Sequence, residues 1–252
     1  MGEAGEGPER GLKAELRERV WSLLVQRGVA RFPLPVRGRI PNFAGAQLAA
    51  RRLAGLREYE RAELVFCNPD SPQRPVRELV LRDGKTLVMA TPRLRRGLLL
   101  LEPSRLPSWA LRKASTIRGA FRFGRPVEPW DVQVDLKVVG SVAVTPDGGR
   151  LGKGHGYSDL EYAILVECGS MGPETPVATT VHDVQVLPRG SIPMTEHDVP
   201  VDVIATPTRV IRTNTRHPRP KGLDWALITE DMVREMPILA RLKERAGRSR
   251  LI

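Results

Sequence analysis

Three glycines alternating with a lysine and a histidine stand between Arg150 and Asp159, in the order Arg-Leu-Gly-Lys-Gly-His-Gly-Tyr-Ser-Asp. Gly152, Gly154 and Gly156 permit positive φ and close approach of another molecule to the backbone. Successive N–H groups in such a loop can line a concave anion site, to which Lys153 adds a point charge. The β-branched run Val132 to Val144 precedes the loop, and Asp159 to Cys168 can continue as a helix. Strand, glycine loop and helix N-terminus in that order make a place for phosphate. A long glycine hairpin is the alternative reading of the loop alone. It is not a P-loop, because Gly148 to Lys153 has the wrong spacing and His155 rather than Ser or Thr is nearby.

The surrounding elements must carry this loop. Leu12, Leu16, Val20, Leu23 and Leu24 recur at helical spacing and predict a first helix over Glu9 to Arg27. Lys13 and Arg17 are four apart and share one face of it, which on its own reads as two solvated cations. Ala30 to Pro41 reads as a loop, and Asn42 as the N-cap of a helix ending near Leu56. Strands are predicted at Ala62–Cys67, Lys85–Thr91, Leu98–Leu101, Val132–Val144 with a break at Gly140-Ser141, Val177–Thr180, Val184–Leu187 and Val201–Ala205. A last helix over Thr229 to Arg245 starts with a capping-box-like Thr229-Glu-Asp-Met and is expected at the sheet edge. Thr91 to Arg96 follows a strand end, where its three arginines could meet an anion or stay solvated. Alternating strands and helices argue for α/β architecture, a largely parallel central sheet covered on both faces.

At the glycine loop the chain resembles the 5-formyltetrahydrofolate cyclo-ligase family, whose signature runs R-L-G-x-G-x-G-Y-Y-D. A second stretch, Thr195-Glu-His-Asp-Val-Pro-Val-Asp-Val-Ile-Ala-Thr206, is similar to that family's late acidic segment and strand. The resemblance covers Val132 to Thr208 well and the N-terminal half weakly. It implies a three-layer α/β/α fold similar to ribose-5-phosphate isomerase and CoA-transferase folds. It also implies ATP-driven closure of 5-formyltetrahydrofolate to 5,10-methenyltetrahydrofolate, with ATP and Mg2+ as cofactors and a reduced folate as substrate. By the same resemblance Lys13 and Arg17 meet the nucleotide. Arg150, Gly152, Lys153, Gly154, His155, Gly156 and Tyr157 form the nucleotide loop, with Arg150 and Lys153 as the catalytic, charge-neutralising pair. Asp159 and Asp198 are implied as magnesium ligands; read from the residues alone, Asp159 is as well a helix N-cap and Asp198 a turn residue. Two departures stand out: Pro41-Asn-Phe-Ala replaces the family's acidic E-V-x-T-type element, and Ser158 replaces the second tyrosine. They make a divergent ATP-binding relative with another substrate the runner-up.

Composition bounds these readings. The chain has 252 residues, enough to bury a sizeable core, and is expected as one domain over 11–245 between a flexible 1–10 and a frayed 246–252. A formal charge of +11 suits anionic partners, but the basic residues are dispersed. Aromatic content of 5% leaves little for base stacking, so a nucleic-acid-binding module ranks third even with the basic stretch Arg209 to Lys221. No apolar run approaches the roughly 18 residues of a membrane span. With Cys67 and Cys168 as the two cysteines and no C-x-x-C pair, two unpaired thiols in the cytoplasm are expected. Oligomeric state is left open.

Overall fold

The computed structural model describes residues 8–249. Helix α1 (Pro8–Gln26) buries Leu16, Val20 and Leu24, an i, i+4 stripe on one face. A two-residue pair, Ala30–Arg31 with Asn42–Phe43, closes the loop that follows. Asn42 does not cap the next helix, α2 (Ala46–Ala54); Gly45 does, at φ 82°. Asn42 instead donates to Phe32 O at 2.7 Å and accepts from Phe43 N at 3.0 Å, pinning that loop.

Then come β1 (Leu64–Cys67), α3 (Arg74–Arg82), β2 (Thr86–Ala90), β3 (Leu98–Leu101), α4 (Ile117–Phe123), β4 (Arg125–Val127) and β5 (Leu136–Val139). Gly140-Ser141 breaks the Val132–Val144 run as its sequence suggests, and Ala143–Val144 starts a hairpin with Arg150–Leu151. Helix α5 (Tyr157–Glu167), β6 (Val177–Thr180), β7 (Val203–Ala205), β8 (Val210–Arg212) and α6 (Pro237–Ser249) complete the order.

Eight strands form one sheet in the order β8-β7-β6-β5-β1-β2-β3-β4. Strands β7, β6, β5, β1 and β2 run parallel, while β8, β3 and β4 pair antiparallel at the flanks. Alternation along the strands feeds two cores. Phe66, Val88 and Ala90 pack with Leu160 and Ile164 of α5 and Leu239 of α6. Val65, Leu87 and Met89 pack on the opposite side with Leu53, Val76 and Val80 of α2 and α3. This is a three-layer α/β/α fold. A third cluster sets α1 on the hairpin, with Leu16, Val20 and Leu24 against Val142, Ala143 and Leu151.

The sequence-based expectations differ at several places. Val184–Leu187 forms no strand: Asp183–Gln185 is a 3-10 turn capped by the His182 ring, with a single bridge from Val186 to Val144. The last helix is two, Glu230–Glu235 and α6, because Pro237 cannot donate a backbone hydrogen bond to the turn before it. It packs on a sheet face rather than the edge. At the chain ends, 8–10 are helical and α6 runs to Ser249, while 1–7 and 250–252 lie outside the described residues. Cys67 and Cys168 are free, and no described helix is long and apolar enough to cross a membrane.

Candidate functional site

Parallel strands deliver their C-terminal ends to one edge of the sheet, where loops from neighbouring strands part and leave a crevice. Here β1 ends on Asn68 to Ser71, β2 on Thr91 to Arg93 and β5 on Gly140, and these segments wall a cleft of about 370 Å³. The opposite wall is the glycine loop and the first turns of α5: Gly152, Lys153, His155, Gly156, Tyr157, Asp159 and Glu161. Strand, loop and helix N-terminus therefore meet as their order in sequence suggests.

Two loop glycines use conformations that other residues avoid. Gly154 has φ 96° and Gly156, the N-cap of α5, has φ 66°. Gly154 also has a close neighbour, since a Cβ there would stand 3.3 Å from Cζ of Arg17. Arg17 Nε donates to Gly152 O at 2.8 Å, and Lys13 Nζ pairs with Asp198 at 2.8 Å. Both cations are buried, so α1 braces the loop and the Asp198 turn with the charges expected to meet nucleotide. Neither is among the cleft's walls.

Arg150 is 3% exposed and fully engaged. Its Nε donates to Val199 O at 3.0 Å, one terminal nitrogen to Gly140 O at 3.1 Å and the other to Asp159. It ties the end of β5, the Val199 turn and the first turn of α5 into one unit. Lys153 is freer: half-buried, it faces Asp70 across the cleft at 3.5 Å. His155 and Tyr157 stack with ring centroids 6.2 Å apart. Partial burial and the cations Lys153, Arg93 and Arg17 push the His155 ring below its usual pKa, which keeps it neutral at pH 7.

The two carboxylates are already partnered. Asp159 accepts from Arg150 and, at 3.0 Å, from Val199 N. Asp198 Oδ2 accepts from Lys13 and from Thr195 N and Oγ1 at 2.7 and 2.9 Å. Burial would raise the Asp198 pKa, but Lys13 and the Thr195 bonds outweigh it and hold the carboxyl below the usual range. Among the described residues no group of three or more His, Cys, Asp and Glu could hold a metal. A resident magnesium carried by side chains alone does not fit.

Sequence reasoning did not find the floor of the cleft. Lys137 on β5 is completely buried, and its Nζ faces Glu161 Oε2 at 3.7 Å and the Phe66 ring at 3.8 Å. Burial lowers the Lys137 pKa to about 8 against the opposing pull of Glu161, and burial raises that of Glu161 against Lys137. Asn68 Nδ2 donates to Glu161 Oε2 at 2.6 Å. A lysine inside an apolar strand run carries no spacing signal, and neither does a helical glutamate two residues past Asp159.

A parallel sheet with a glycine loop over its strand ends and a helix starting at the crevice is the α/β architecture in which ligands sit outside the strand ends. The model of the 5-formyltetrahydrofolate cyclo-ligase family matches residues 10–207, and the chain belongs to that family. Its relatives include the methenyltetrahydrofolate synthase domain-containing protein of Mus musculus, 45% identical over 92% of this chain and 63% of the relative. The Homo sapiens protein of that description is 44% identical over 92% of this chain and 62% of its own length. The chain thus spans less than two thirds of these relatives. A solved structure of Aquifex aeolicus 5,10-methenyltetrahydrofolate synthetase is 23% identical, covers 86% of this chain and all of its own, and has a TM-score of 0.49.

Proposed function

We propose that the chain catalyses ATP-dependent cyclisation of 5-formyltetrahydrofolate to 5,10-methenyltetrahydrofolate, with release of ADP and phosphate. The observation that carries this reading is the glycine loop, braced by Arg17 and Lys13 and opening beside Lys153 onto a cleft of about 370 Å³. Activation of the formyl oxygen by phosphate transfer asks the protein for alignment and charge neutralisation rather than for a nucleophile.

The loop amides and Lys153 would hold the phosphates. The long 3.5 Å contact of Lys153 with Asp70 is one that an incoming phosphate can replace. Arg150 would act by fixing the loop base and Asp159 rather than by touching phosphate, its nitrogens all being engaged. Lys13 and Arg17 would set the loop's shape from behind. Magnesium would arrive on the phosphates, where it neutralises charge, and of the two aspartates Asp159 lines the cleft that receives them. The cytoplasm, where folates and ATP coexist, is the setting this chemistry asks for.

The test is the appearance of methenyltetrahydrofolate absorbance from 5-formyltetrahydrofolate with and without Mg-ATP. Wild type should form product only with ATP, and Lys153→Ala should lose at least a hundredfold in kcat/KM. A Lys153→Ala enzyme as active as wild type would remove the loop from the mechanism. A second reading, a nucleotide-binding relative with another substrate, is favoured by the altered floor, where Ser158 stands in place of a tyrosine and donates to Asn68 at 3.3 Å. It predicts ATP binding without product.

A further inference from the structure

The floor of the cleft is built around a carboxylate that the nucleotide loop does not use. Glu161 is 6% exposed and lines the cleft from α5. Its Oε2 is occupied by Asn68 Nδ2 at 2.6 Å and faces Lys137 at 3.7 Å. Among the described residues nothing donates to its Oε1. Asn68 is held in that orientation from its other end, where Oδ1 accepts from Ser158. Lys137 Nζ has no hydrogen-bond partner and no exposure, so it backs the carboxylate without being available to a ligand. The charged side chains around the rest of the wall include Arg39, Arg93 and Lys153. Of the other carboxylates on the wall, Asp159 pairs with Arg150 and Asp70 faces Lys153, whereas Glu161 is buried with one oxygen left for a ligand.

A carboxylate drawn out of water needs donors for its lone pairs, and one left unpaired is costly. A cationic ligand group would meet Lys137 directly behind the carboxylate, so neutral N–H donors suit the position better. We propose that Glu161 reads the inner end of the ligand by accepting hydrogen bonds from adjacent N–H donors on a ring edge, the pattern of a 2-amino-4-oxopyrimidine such as that of a pterin. This rests on the reading that the cleft takes a reduced folate beside ATP. Glu161 is then the specificity-determining residue of the substrate half. A site built to satisfy a buried acceptor discriminates strongly against an analogue lacking the donor. Glu161→Gln cannot substitute, because its amide nitrogen must face either Asn68 Nδ2 and Lys137 or the ligand, donor against donor in both cases.

The test uses 2-amino-4-hydroxypteridine as probe, its binding followed by its own fluorescence, and 4-hydroxypteridine as the analogue without the amino group. Wild type should bind the aminopteridine at least tenfold more tightly than the analogue. Glu161→Gln should lose at least tenfold in aminopteridine affinity while binding Mg-ATP within twofold of wild type. Comparing the two probes on wild type needs no variant, so a poorly folding Glu161→Gln leaves the proposal exposed to failure. Equal affinity for the two probes, no aminopteridine binding, or unchanged binding in a folded Glu161→Gln overturns it. Cyclisation by wild type together with any of these outcomes retains the cyclo-ligase reading and rejects the role of Glu161. Amino-dependent binding lost in Glu161→Gln, without cyclisation by wild type, supports the role and rejects the reaction.

Discussion

Lys137 is completely buried with no hydrogen-bond partner among the described residues, and sits against the Glu161 carboxylate and the face of Phe66. Its folded pKa of about 8 lies below the unfolded value of roughly 10.4. Between these values the unfolded chain binds more protons than the folded one, so stability rises with pH across that window. In urea unfolding, the midpoint difference between wild type and Lys137→Met should therefore change in favour of wild type from pH 8 to pH 10; a constant difference would mean that Lys137 does not titrate there. Stability rises with pH at Asp198 too, in a more acid window, because its pKa is also lowered in the fold. Its contribution is complete above about pH 4 and disappears as pH falls through the folded value. Asp198→Asn leaves the Lys13 ammonium buried and uncompensated, and should cost about 3 kcal/mol at pH 7. Calorimetry showing less than 1 kcal/mol would mean that water replaces the carboxylate.

Among the elements, the glycine loop and α1 behave as one device. Gly154→Ala places a Cβ at a φ of 96° and 3.3 Å from the Arg17 guanidinium carbon. The variant should lose about 1–2 kcal/mol from the left-handed backbone alone and bind ATP at least tenfold more weakly. Gly172→Ala, where a Cβ meets nothing within 4 Å, should leave ATP binding unchanged. Equal behaviour of the two variants would uncouple the loop from α1. The two halves of this device were legible in the sequence separately because each has a local signature: leucines at helical spacing in α1, alternating glycines in the loop. Leu98–Leu101 was legible for a similar reason, as a short apolar run following a turn. The Val184–Leu187 run looked equally strand-like, but the capped turn at Asp183–Gln185 claimed its first residues. Lys137 and Glu161 were not legible. Each sits inside an apolar pattern, and what unites them is a tertiary contact between β5 and α5. Likewise the roles of Lys13 and Arg17 as braces depend on which side of the loop α1 occupies, which spacing does not encode.

For the whole molecule, ligand binding and folding stability share one equilibrium. A nucleotide that binds only the folded chain stabilises it by about 2.7 kcal/mol at a hundredfold excess over Kd. For a chain of this size that corresponds to a rise in Tm of roughly 5–10 °C. Mg-ATP should produce that rise in wild type and little in Lys153→Ala, and a scan with no rise in wild type would contradict the nucleotide site. Beyond the cleft, the basic residues are spread over the surface, some in single pairs such as Arg212 with Glu58 and Arg82 with Glu78. Such pairs contribute about 0–1 kcal/mol each and weaken with salt. The two outermost strands are three residues each, and β4 carries Pro126. Short edges interrupted by proline offer a poor template for another strand.

The brace between Lys13 and Asp198 joins residues 185 positions apart. At roughly 5–20 residues per second of synthesis, helix α1 waits on the order of ten to forty seconds on the ribosome before its carboxylate partner exists. For most of that interval Leu16, Val20 and Leu24 lack the hairpin that covers them, and the Asp198 turn follows the hairpin. The nucleotide site is therefore among the last parts of the chain to become complete, and a nascent chain halted before Asp198 emerges should carry the glycine loop without the geometry that lets it hold phosphate.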